Sequence, residues 1–535
     1  MTLHHAAVRL ARKHPFRKVF FDHGGKEYSA LQLVTEAAQM SRFIRKKLSS
    51  SDSYVGVLLP NGTAAVKSLL AILMADKTPV PLNYSTSQEV LDRSIEKAGI
   101  RLVITGREFL GKIRVNPGDI GVCIEDIEEE FSWFGKFIMR VGIFCLPTSE
   151  FMNMLSPLSA FDCERDAMLL FSSGSTGNPK GVCLSHHNLN SNARSVACGL
   201  VADSTDIVVG NLPLFHSFGL NVCFWMPVLY NIQVVYVSNP LDSQAVRQII
   251  AERHATLLFA TPSFLQKYLH RCSGEELASL RLIATGAEKL RADIAEKVRT
   301  LTNGRLEIVE CYGCTELSPV VSINLARDVA DLGCKVGCRD SIGHPLENVS
   351  VRILDPLTFT PVEQGEEGIL CVKGSLVMRG YLNDETLTKQ VMAGEYYITG
   401  DIAKIDKSGY IHICGRLSRF SKIAGEMVPH ELVERTINEM CACDNRVVAV
   451  GGLPDPAKGE ALLVLYTDEM PFTPEQIVDQ LRERSISNLW IPKAKNFHKV
   501  DTLPLLGSGK LDLSLLRKIA DEISQNEGLT AAQAE

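Results

Sequence analysis

The residues best suited to chemistry lie in one short segment, 170–185, which reads LFSSGSTGNPKGVCLS. An apolar strand is predicted to run into a loop of small polar residues that ends at Pro179, Lys180 and Gly181. Glycines let a backbone approach an anion and turn its N–H groups toward it. The segment therefore predicts phosphate binding rather than a flexible linker, because apolar strands flank it. The predicted ligands are Ser172, Ser173, Gly174, Ser175, Thr176, Gly177 and Lys180.

This loop is not a Walker A loop. The pattern GxxxxGK[ST] requires Gly where Pro179 stands and Ser or Thr where Gly181 stands. Further short motifs follow downstream in a fixed order: Gly286-Ala287-Glu288, YGCTE at 312–316, YITGD at 397–401, GRLS at 415–418 and LLGSGK at 505–510. Taken singly, each has an ordinary explanation, such as a turn residue or a surface cation.

Taken together, the loop and these motifs resemble the acyl-adenylate-forming superfamily, which includes acyl-CoA synthetases, luciferases and peptide-synthetase adenylation domains. The resemblance covers nearly the whole chain and implies ATP and Mg²⁺ as cofactors. It implies an adenine pocket at Gly286, Ala287, Glu288, Tyr312 and Gly313, an α-phosphate contact at Thr315, a ribose site at Asp401 and Arg416, and a magnesium site at Glu316 and Thr176. It also implies a catalytic lysine at Lys510 and a hinge at Ser418, where the family usually has Asp or Lys.

The same residues make physical sense for adenylation. Attack of a carboxylate on an α-phosphate brings two anions together, so positive charge must lie where negative charge develops. Lys180, Lys510 and a magnesium ion on Glu316 would supply that charge. Thr176, Lys180, Glu316 and Lys510 are therefore the predicted catalytic residues.

The segment NLPLFHSFGL at 211–220 indicates what is activated. By resemblance, peptide-synthetase domains place an Asp after the Phe, where it binds an α-ammonium group. Here that position is His216, so a plain carboxylic acid is favoured. The predicted acyl pocket consists of Phe215, His216, Gly219 and Gly313.

Narrower motifs resemble a bacterial acyl-acyl-carrier-protein synthetase, the half that follows an acyltransferase domain in a bifunctional protein. None of the 13 histidines has an Asp five residues later, so the HxxxxD acyltransferase motif is absent and a stand-alone synthetase is expected. The predicted reaction activates a fatty acid as acyl-AMP and transfers it to the phosphopantetheine thiol of holo-acyl carrier protein. Coenzyme A is the alternative acceptor, and a non-catalytic lipid-binding protein is the alternative of another class. A basic segment, 482–499, is either the carrier docking place or an ordinary solvated helix and loop face, and the basic N-terminal helix with Arg9, Arg12 and Lys13 is the next docking candidate.

Composition limits the remaining options. The 535 residues carry 56 basic and 62 acidic side chains, a net charge of −6, which argues against nucleic-acid binding. An odd count of 15 cysteines suits reduced thiols and a cytoplasmic location. The basic N-terminus is interpreted as a first helix rather than a transit peptide, and no apolar run is long enough to predict a transmembrane helix.

Alternating strands and helices predict an α/β fold with parallel sheets. We expect an adenylation domain over 1–415, with subdomains of about 1–165, 166–345 and 346–415, the last a small β-barrel. A mobile α+β lid is expected over 416–535. The segment 128–147 mixes aromatic and basic residues; a buried hairpin or packing insertion is favoured over an in-plane helix making peripheral contact with the inner membrane.

Overall fold

A computed structural model of the chain describes residues 1–155, 162–172, 179–326, 336–356, 358–423, 426–441, 446–455, 459–484, 488–505 and 511–532. The first part of the chain alternates helices with short strands. Its elements are α1 (Leu3–Lys13), β1 (Lys18–Asp22), β2 (Glu27–Ser29), α2 (Ala30–Lys47), β3 (Tyr54–Leu58), α3 (Thr63–Met74), β4 (Thr78–Pro81), α4 (Gln88–Ala98), β5 (Val103–Thr105), α5 (Arg107–Leu110), β6 (Gly121–Cys123), α6 (Ile124–Glu129), α7 (Trp133–Cys145) and α8 (Thr148–Leu155).

The second part begins with a β-hairpin and continues as strands alternating with helices. It contains β7 (Asp166–Ser172), β8 (Lys180–Ser185), α9 (His186–Gly199), β9 (Ile207–Gly210), α10 (Ser217–Leu220), α11 (Met226–Tyr230), β10 (Gln233–Tyr236), α12 (Ser243–Arg253), β11 (Leu257–Ala260), α13 (Pro262–Leu269), β12 (Leu282–Thr285), α14 (Ala292–Leu301), β13 (Ile308–Gly313), β14 (Val320–Ile323) and β15 (His344–Pro345). A π-helical turn, Asn221–Trp225, links α10 to α11.

The remaining chain forms two smaller units. The first contains β16 (Val349–Leu354), β17 (Gly368–Gly374), β18 (Gly380–Tyr381), α15 (Glu385–Gln390), β19 (Met392–Ala393), β20 (Tyr396–Ile405) and β21 (Ile411–Arg416). The second contains β22 (Phe420–Ile423), β23 (Glu426–Pro429), α16 (His430–Cys441), β24 (Val448–Asp455), β25 (Gly459–Tyr466), α17 (Pro474–Glu483), β26 (Phe497–Lys499) and α18 (Leu513–Ala532).

Two sheets confirm the predicted parallel α/β architecture. One has four parallel strands in the order β4-β3-β5-β6. The other has nine strands in the order β15-β14-β13-β12-β11-β9-β10-β1-β2 and is parallel from β13 to β1. Because β1 pairs with β10, the N-terminal strands belong to the larger sheet. The predicted subdomain boundaries stay predictions.

The smaller sheets are mainly antiparallel. Strands β16, β17, β20, β19 and β21 form one five-stranded sheet, and β18 joins the β7–β8 hairpin instead. The C-terminal sheet has the order β23-β22-β25-β24, with β26 parallel to β25. The largest apolar cluster extends from Leu3 to Ile411, and two smaller clusters lie within the same range. Apolar residues from Ile423 onward form clusters of their own.

The segment 128–147 is not a buried hairpin, so that part of the prediction is wrong, and as a packing insertion it is buried on one side only. Residues 133–145 form the helix α7, whose Met139, Gly142 and Ile143 are buried while its aromatic residues are mostly exposed. Burial was expected because most residues of this segment are apolar, but only one side of the helix packs against the protein. Among the described residues, no helix combines the length and apolarity needed to cross a bilayer.

Candidate active site

Lys180 begins β8, directly after the predicted phosphate loop. Within the β7–β8 hairpin, Ser172 and Lys180 are cross-strand partners, so the loop is anchored at both ends by backbone pairing. The loop residues Ser173, Gly174, Ser175, Thr176 and Gly177 lie outside the described residues. The Lys180 ammonium lies 5.6 Å from the centre of the Tyr381 ring, which is cation–π distance.

Tyr381 links the lysine to the predicted magnesium ligand. Strand β18 pairs with β8, which sets Tyr381 opposite Val182. From there the Tyr381 hydroxyl donates to Oε1 of Glu316 at 2.9 Å. Burial and the nearby Glu316 carboxylate raise the pKa of Tyr381 above its ordinary value, so the phenol stays protonated and remains a donor. Sequence reasoning missed Tyr381, which belongs to none of the recognised motifs.

The YGCTE motif owes its shape to Gly313. A Cβ atom there would lie 1.8 Å from the carbonyl oxygen of Pro319, so any side chain would force the backbones apart. The chain then turns through a 3₁₀ helix, Thr315–Leu317. Within that turn, Thr315 Oγ1 lies 3.4 Å from Ser217 Oγ, at the start of α10. The Thr315–Ser217 contact therefore connects the turn after β13 to the predicted acyl-binding segment.

Tyr312, Asp401 and Arg416 form the second cluster. Asp401 and Arg416 are cross-strand partners in β20 and β21, and Arg416 Nε lies 3.0 Å from Asp401 Oδ1. The Tyr312 hydroxyl donates to Oδ2 of the same carboxylate. Burial raises the pKa of Asp401, whereas Arg416 and the Tyr312 hydrogen bond oppose that rise.

This second cluster has the groups that a ribose site needs. The Asp401 side chain is 8% exposed and the Arg416 side chain is 62% exposed, so the carboxylate is buried while the guanidinium faces solvent. A carboxylate with two oxygens can accept from two vicinal hydroxyls. Since both oxygens already accept from protein groups, a bound ribose would have to share or replace those donors.

Gly286, Ala287 and Glu288 follow β12 at the carboxyl end of the large sheet, where ligands of open α/β sheets commonly bind. A Cβ atom on Gly286 would lie 2.9 Å from the carbonyl oxygen of Cys311, and Ala287 has a φ of +67°. The Glu288 carboxylate accepts from Ser263 Oγ at 2.6 Å. The three residues thus lie beside β13, with Glu288 bonded to the start of α13.

The predicted acyl residues lie on the neighbouring segment. Phe215 is buried and packs edge-on against Tyr84 with ring centres 4.9 Å apart, whereas His216 is exposed. A Cβ atom on Gly219 would lie 2.3 Å from the carbonyl oxygen of Pro213, which explains the glycine. Tyr84 was not recognised from the sequence, because it lies in a loop about 130 residues away.

The predicted hinge joins two firmly held residues. Arg416 is bonded to Asp401 of the neighbouring strand β20. Arg419 is buried on the other side, where it lies 2.5 Å from Glu434 and donates to the carbonyl oxygen of Val450 at 2.8 Å. Leu417 and Ser418 lie between these anchors in a 3₁₀ turn. Lys510 lies outside the described residues, so its predicted role stays a prediction.

Comparisons with known proteins agree with this architecture. A family model described as AMP-binding enzyme matches residues 8–382. A feruloyl-CoA synthase from Amycolatopsis is 29% identical over 510 residues, covering 94% of this chain and 96% of that protein. A long-chain-fatty-acid–CoA ligase from Bacillus subtilis is 26% identical over 530 residues, covering 94% and 91%. Among solved structures, o-succinylbenzoate coenzyme A synthetase from B. subtilis, in complex with ATP and magnesium ion, aligns with a TM-score of 0.77 at 21% identity, covering 96% of this chain and 99% of that one.

Proposed function

The chain belongs to the AMP-binding enzyme family, and we propose that it is an AMP-forming ligase that joins a fatty acid to a phosphopantetheine thiol. Its cofactors are ATP and Mg²⁺. In the first step a carboxylate oxygen attacks the α-phosphorus of ATP, and pyrophosphate leaves as acyl-AMP forms. In the second step the thiol sulfur attacks the acyl carbon, the thiol proton is lost, and AMP leaves as the thioester forms.

The observation that carries this proposal is the junction of the two clusters at the end of β13. Tyr312 belongs to the cluster with Asp401 and Arg416, and Glu316, four residues later, belongs to the cluster with Tyr381 and Lys180. A nucleotide whose ribose lies at the first cluster would thus present its phosphates toward the second. Positive charge from Lys180 would then lie where the attacking carboxylate and the phosphate meet.

Glu316 fits the proposed role of magnesium ligand. A carboxylate oxygen is the hard donor that Mg²⁺ prefers, and the Tyr381 hydroxyl occupies only Oε1. Magnesium held there would supply positive charge opposite the phosphate oxygens. Thr176, the second proposed ligand, and Lys510, the proposed catalytic lysine, lie outside the described residues.

A fatty acid is the proposed carboxylate. His216 stands where an acidic residue would be needed to bind an α-ammonium group, and the adjoining wall consists of aromatic side chains. Phe218 packs edge-on against Phe259 and also lies beside Gly286, so the aromatic wall reaches the proposed adenine pocket. The relatives that activate long-chain fatty acids support this substrate class.

The acceptor has two candidates. The relatives are coenzyme A ligases, and they favour coenzyme A over the acyl carrier protein that the sequence motifs predict. Acyl carrier protein remains the second candidate because Lys493, Lys495 and Lys499 are exposed within one short stretch of sequence that ends in β26. Both acceptors present the same phosphopantetheine thiol, so the chemistry at the active site is unchanged.

A direct comparison tests the proposal. The full chain is incubated with MgATP and a series of fatty acids, and pyrophosphate release is measured first. Thioester formation is then compared with coenzyme A and with holo-acyl carrier protein at equal thiol concentration. We expect pyrophosphate release with long-chain acids and thioester formation with coenzyme A. Thioester on carrier protein alone would support the second candidate, and no pyrophosphate release with any acid would favour a non-catalytic lipid-binding protein.

A further inference from the structure

Helix α7 leaves a continuous apolar face uncovered. Trp133, Phe134, Phe137, Val141 and Phe144 are 79%, 61%, 52%, 43% and 51% exposed. At about 100° per residue these five side chains fall within an arc of roughly 100°, with the Trp133 and Phe137 rings stacked 6.0 Å apart. The opposite side, with Met139, Gly142 and Ile143, is buried in the protein. We call the exposed side, formed by Trp133, Phe134, Phe137, Val141 and Phe144, the aromatic face.

The aromatic face is held rigidly rather than displayed on a loose segment. The helix begins at Ser132, whose side chain accepts from the backbone N–H of Gly135 at 2.9 Å. At the other end, Arg12 donates to the carbonyl oxygens of Ile143 and Leu146, and to Thr148 Oγ1 at 2.8 Å. Because both helix ends are bonded, the aromatic side chains are not exposed by fraying.

Basic side chains flank this face. Arg140 is exposed at the edge of the same arc. Helix α2 runs antiparallel to α7, since Glu36 pairs with Lys136 at 3.0 Å while Gln39 donates to Ser132 at 3.3 Å. Exposed Arg42 and Lys46 follow Gln39 by three and seven residues, so they lie on the same side of α2, beyond the Trp133 end of α7.

The other end of α7 has basic neighbours as well. Arg12 bonds to its last carbonyl groups, and exposed Arg9 and Lys13 belong to the same helix α1. Helix α7 itself carries no acidic residue, although Glu129 and Glu130 just before it are exposed. In a chain with a net charge of −6, this local excess of cations runs against the overall balance.

We propose that the aromatic face of α7 is a docking surface for an anionic lipid bilayer, with the helix lying in the plane of the interface. At 13 residues the helix is about 20 Å long, too short to span a bilayer but long enough to bury a row of aromatic rings below the headgroups. Tryptophan and phenylalanine suit that depth, and Arg42, Lys46 and Arg140 would contact lipid phosphates. An argument that rests on the proposed function points the same way, because long-chain fatty acids partition into bilayers.

Vesicle flotation of the full chain tests this surface without requiring turnover. Wild-type protein is mixed with vesicles of phosphatidylglycerol and phosphatidylcholine, and separately with vesicles of phosphatidylcholine alone. We expect flotation with the anionic vesicles, weakened by added salt because the cationic contribution is screened. Failure of the wild type to float would overturn the docking proposal and leave the proposed ligase chemistry untouched.

Two variants and a matched control separate the contributions of the aromatic and the basic side chains to vesicle binding. The triple variant Trp133→Gln, Phe137→Gln, Phe144→Gln should reduce the bound fraction by about tenfold or more, since it removes the buried aromatic area. The double variant Arg42→Glu, Lys46→Glu should reduce binding only to the anionic vesicles. The control Val201→Gln, Leu241→Gln, Phe359→Gln replaces exposed apolar residues outside α7 and should float like the wild type.

Equal binding by the triple variant and the wild type, or an equal loss in the control, would overturn the proposal. Sedimentation of the lipid-free proteins distinguishes the other occupant, a second copy of the chain. If the wild type is a dimer and the triple variant is a monomer, the aromatic face is a subunit interface and the bilayer assignment is wrong. Circular dichroism spectra and thermal unfolding midpoints that match those of the wild type would show that the variants are folded.

Discussion

The hydroxyl of Tyr381 donates to Oε1 of Glu316 at 2.9 Å, joining residues that are 65 positions apart in sequence. The backbone reinforces this relationship, because the N–H of Met378 donates to the carbonyl oxygen of Glu316 at 2.8 Å. The same Tyr381 ring lies beneath the Lys180 ammonium. A tyrosine outside the recognised motifs therefore positions both the proposed magnesium ligand and the proposed phosphate-binding lysine.

Removing the Tyr381 hydroxyl should weaken the use of magnesium. In Tyr381→Phe the Glu316 carboxylate loses a donor worth about 1.5–3 kcal/mol, so we expect adenylation at limiting Mg²⁺ to fall by roughly ten- to a hundredfold. The ring and its contact with Lys180 are kept. Pyrophosphate release measured across a Mg²⁺ titration checks this. Tyr396→Phe, at the first residue of β20, should behave as wild type, and an unchanged titration in Tyr381→Phe would remove Tyr381 from the site.

Asp401 and Arg416 should contribute to nucleotide binding as a pair. Asp401→Ala and Arg416→Ala should each weaken ATP binding by roughly ten- to a hundredfold, since each removes a charged hydrogen-bonding partner. Because the two side chains are in contact, the double variant should lose less than the product of the single losses. Calorimetric titration with ATP provides the affinities. Arg352→Ala, which removes an arginine stacked on Tyr396, is the control, and simple additivity would argue against a shared site.

Lys510 should serve adenylation only. Lys510→Ala should abolish pyrophosphate release from ATP and fatty acid but still transfer the acyl group from supplied acyl-AMP to the thiol. The physical reason is that the C-terminal part would rotate about Ser418 between the half-reactions and carry Lys510 away from the nucleotide. Because Arg416 and Arg419 are each held by an ion pair, the backbone rotation would be confined to Leu417 and Ser418. An equal loss in both half-reactions would contradict the rotation.

The basic segment 482–499 should speed the association of an acidic carrier protein with this chain. Reversing Lys493, Lys495 and Lys499 to Glu should raise the Michaelis constant for holo-acyl carrier protein by about tenfold at low salt, because charges at a rim act mainly on encounter. Adenylation and transfer to coenzyme A should stay unchanged. Lys493 and Lys499 already lie near Asp455 and Asp468, at 3.8 and 2.5 Å, which reduces the net charge of the patch. Charge reversal of Lys389, Lys404 and Lys407 to Glu is the control and should leave the Michaelis constant for the carrier unchanged. If reversal of Lys493, Lys495 and Lys499 also leaves it unchanged, the carrier docks elsewhere.

Acid should destabilise the protein through buried histidines. Burial, aided by Arg165 at His186 and by Arg419 at His430, lowers the pKa of both to about 3. The unfolded chain takes up these protons near pH 6.5, so the folded state binds fewer protons between about pH 3 and 6.5, and the free energy of unfolding falls as pH drops through that range. The loss approaches about 1.4 kcal/mol per pH unit for each histidine.

Denaturant unfolding between about pH 4.5 and 7.5 measures this dependence. In His430→Gln the free energy of unfolding should fall less steeply as pH drops than in the wild type, because one proton uptake on unfolding is removed. The variant also loses the hydrogen bond to Ser421 at 2.9 Å, which lowers its stability but not this slope. His270→Gln, at an exposed histidine, should retain the wild-type slope. Equal slopes in all three proteins would show that His430 is not buried in its neutral form.

The short motifs were enough to predict the family and the cofactors, because each is a local pattern of residue types at fixed spacing. The alternation of predicted strands and helices was enough to predict the parallel α/β fold. Gly286, Gly313 and Gly219 could be recognised in the same way, although the reason for each is a backbone 1.8–2.9 Å from where its Cβ would lie. The pairing of Tyr381 with Glu316 and of Tyr312 with Asp401 was decided only by the tertiary structure. Strand pairing brings them together across 65 and 89 residues, and no local pattern encodes such a distance. The same limit explains α7: composition alone showed that its residues are apolar, whereas only the packing of α2 and α8 decided which side is covered and which side faces outward.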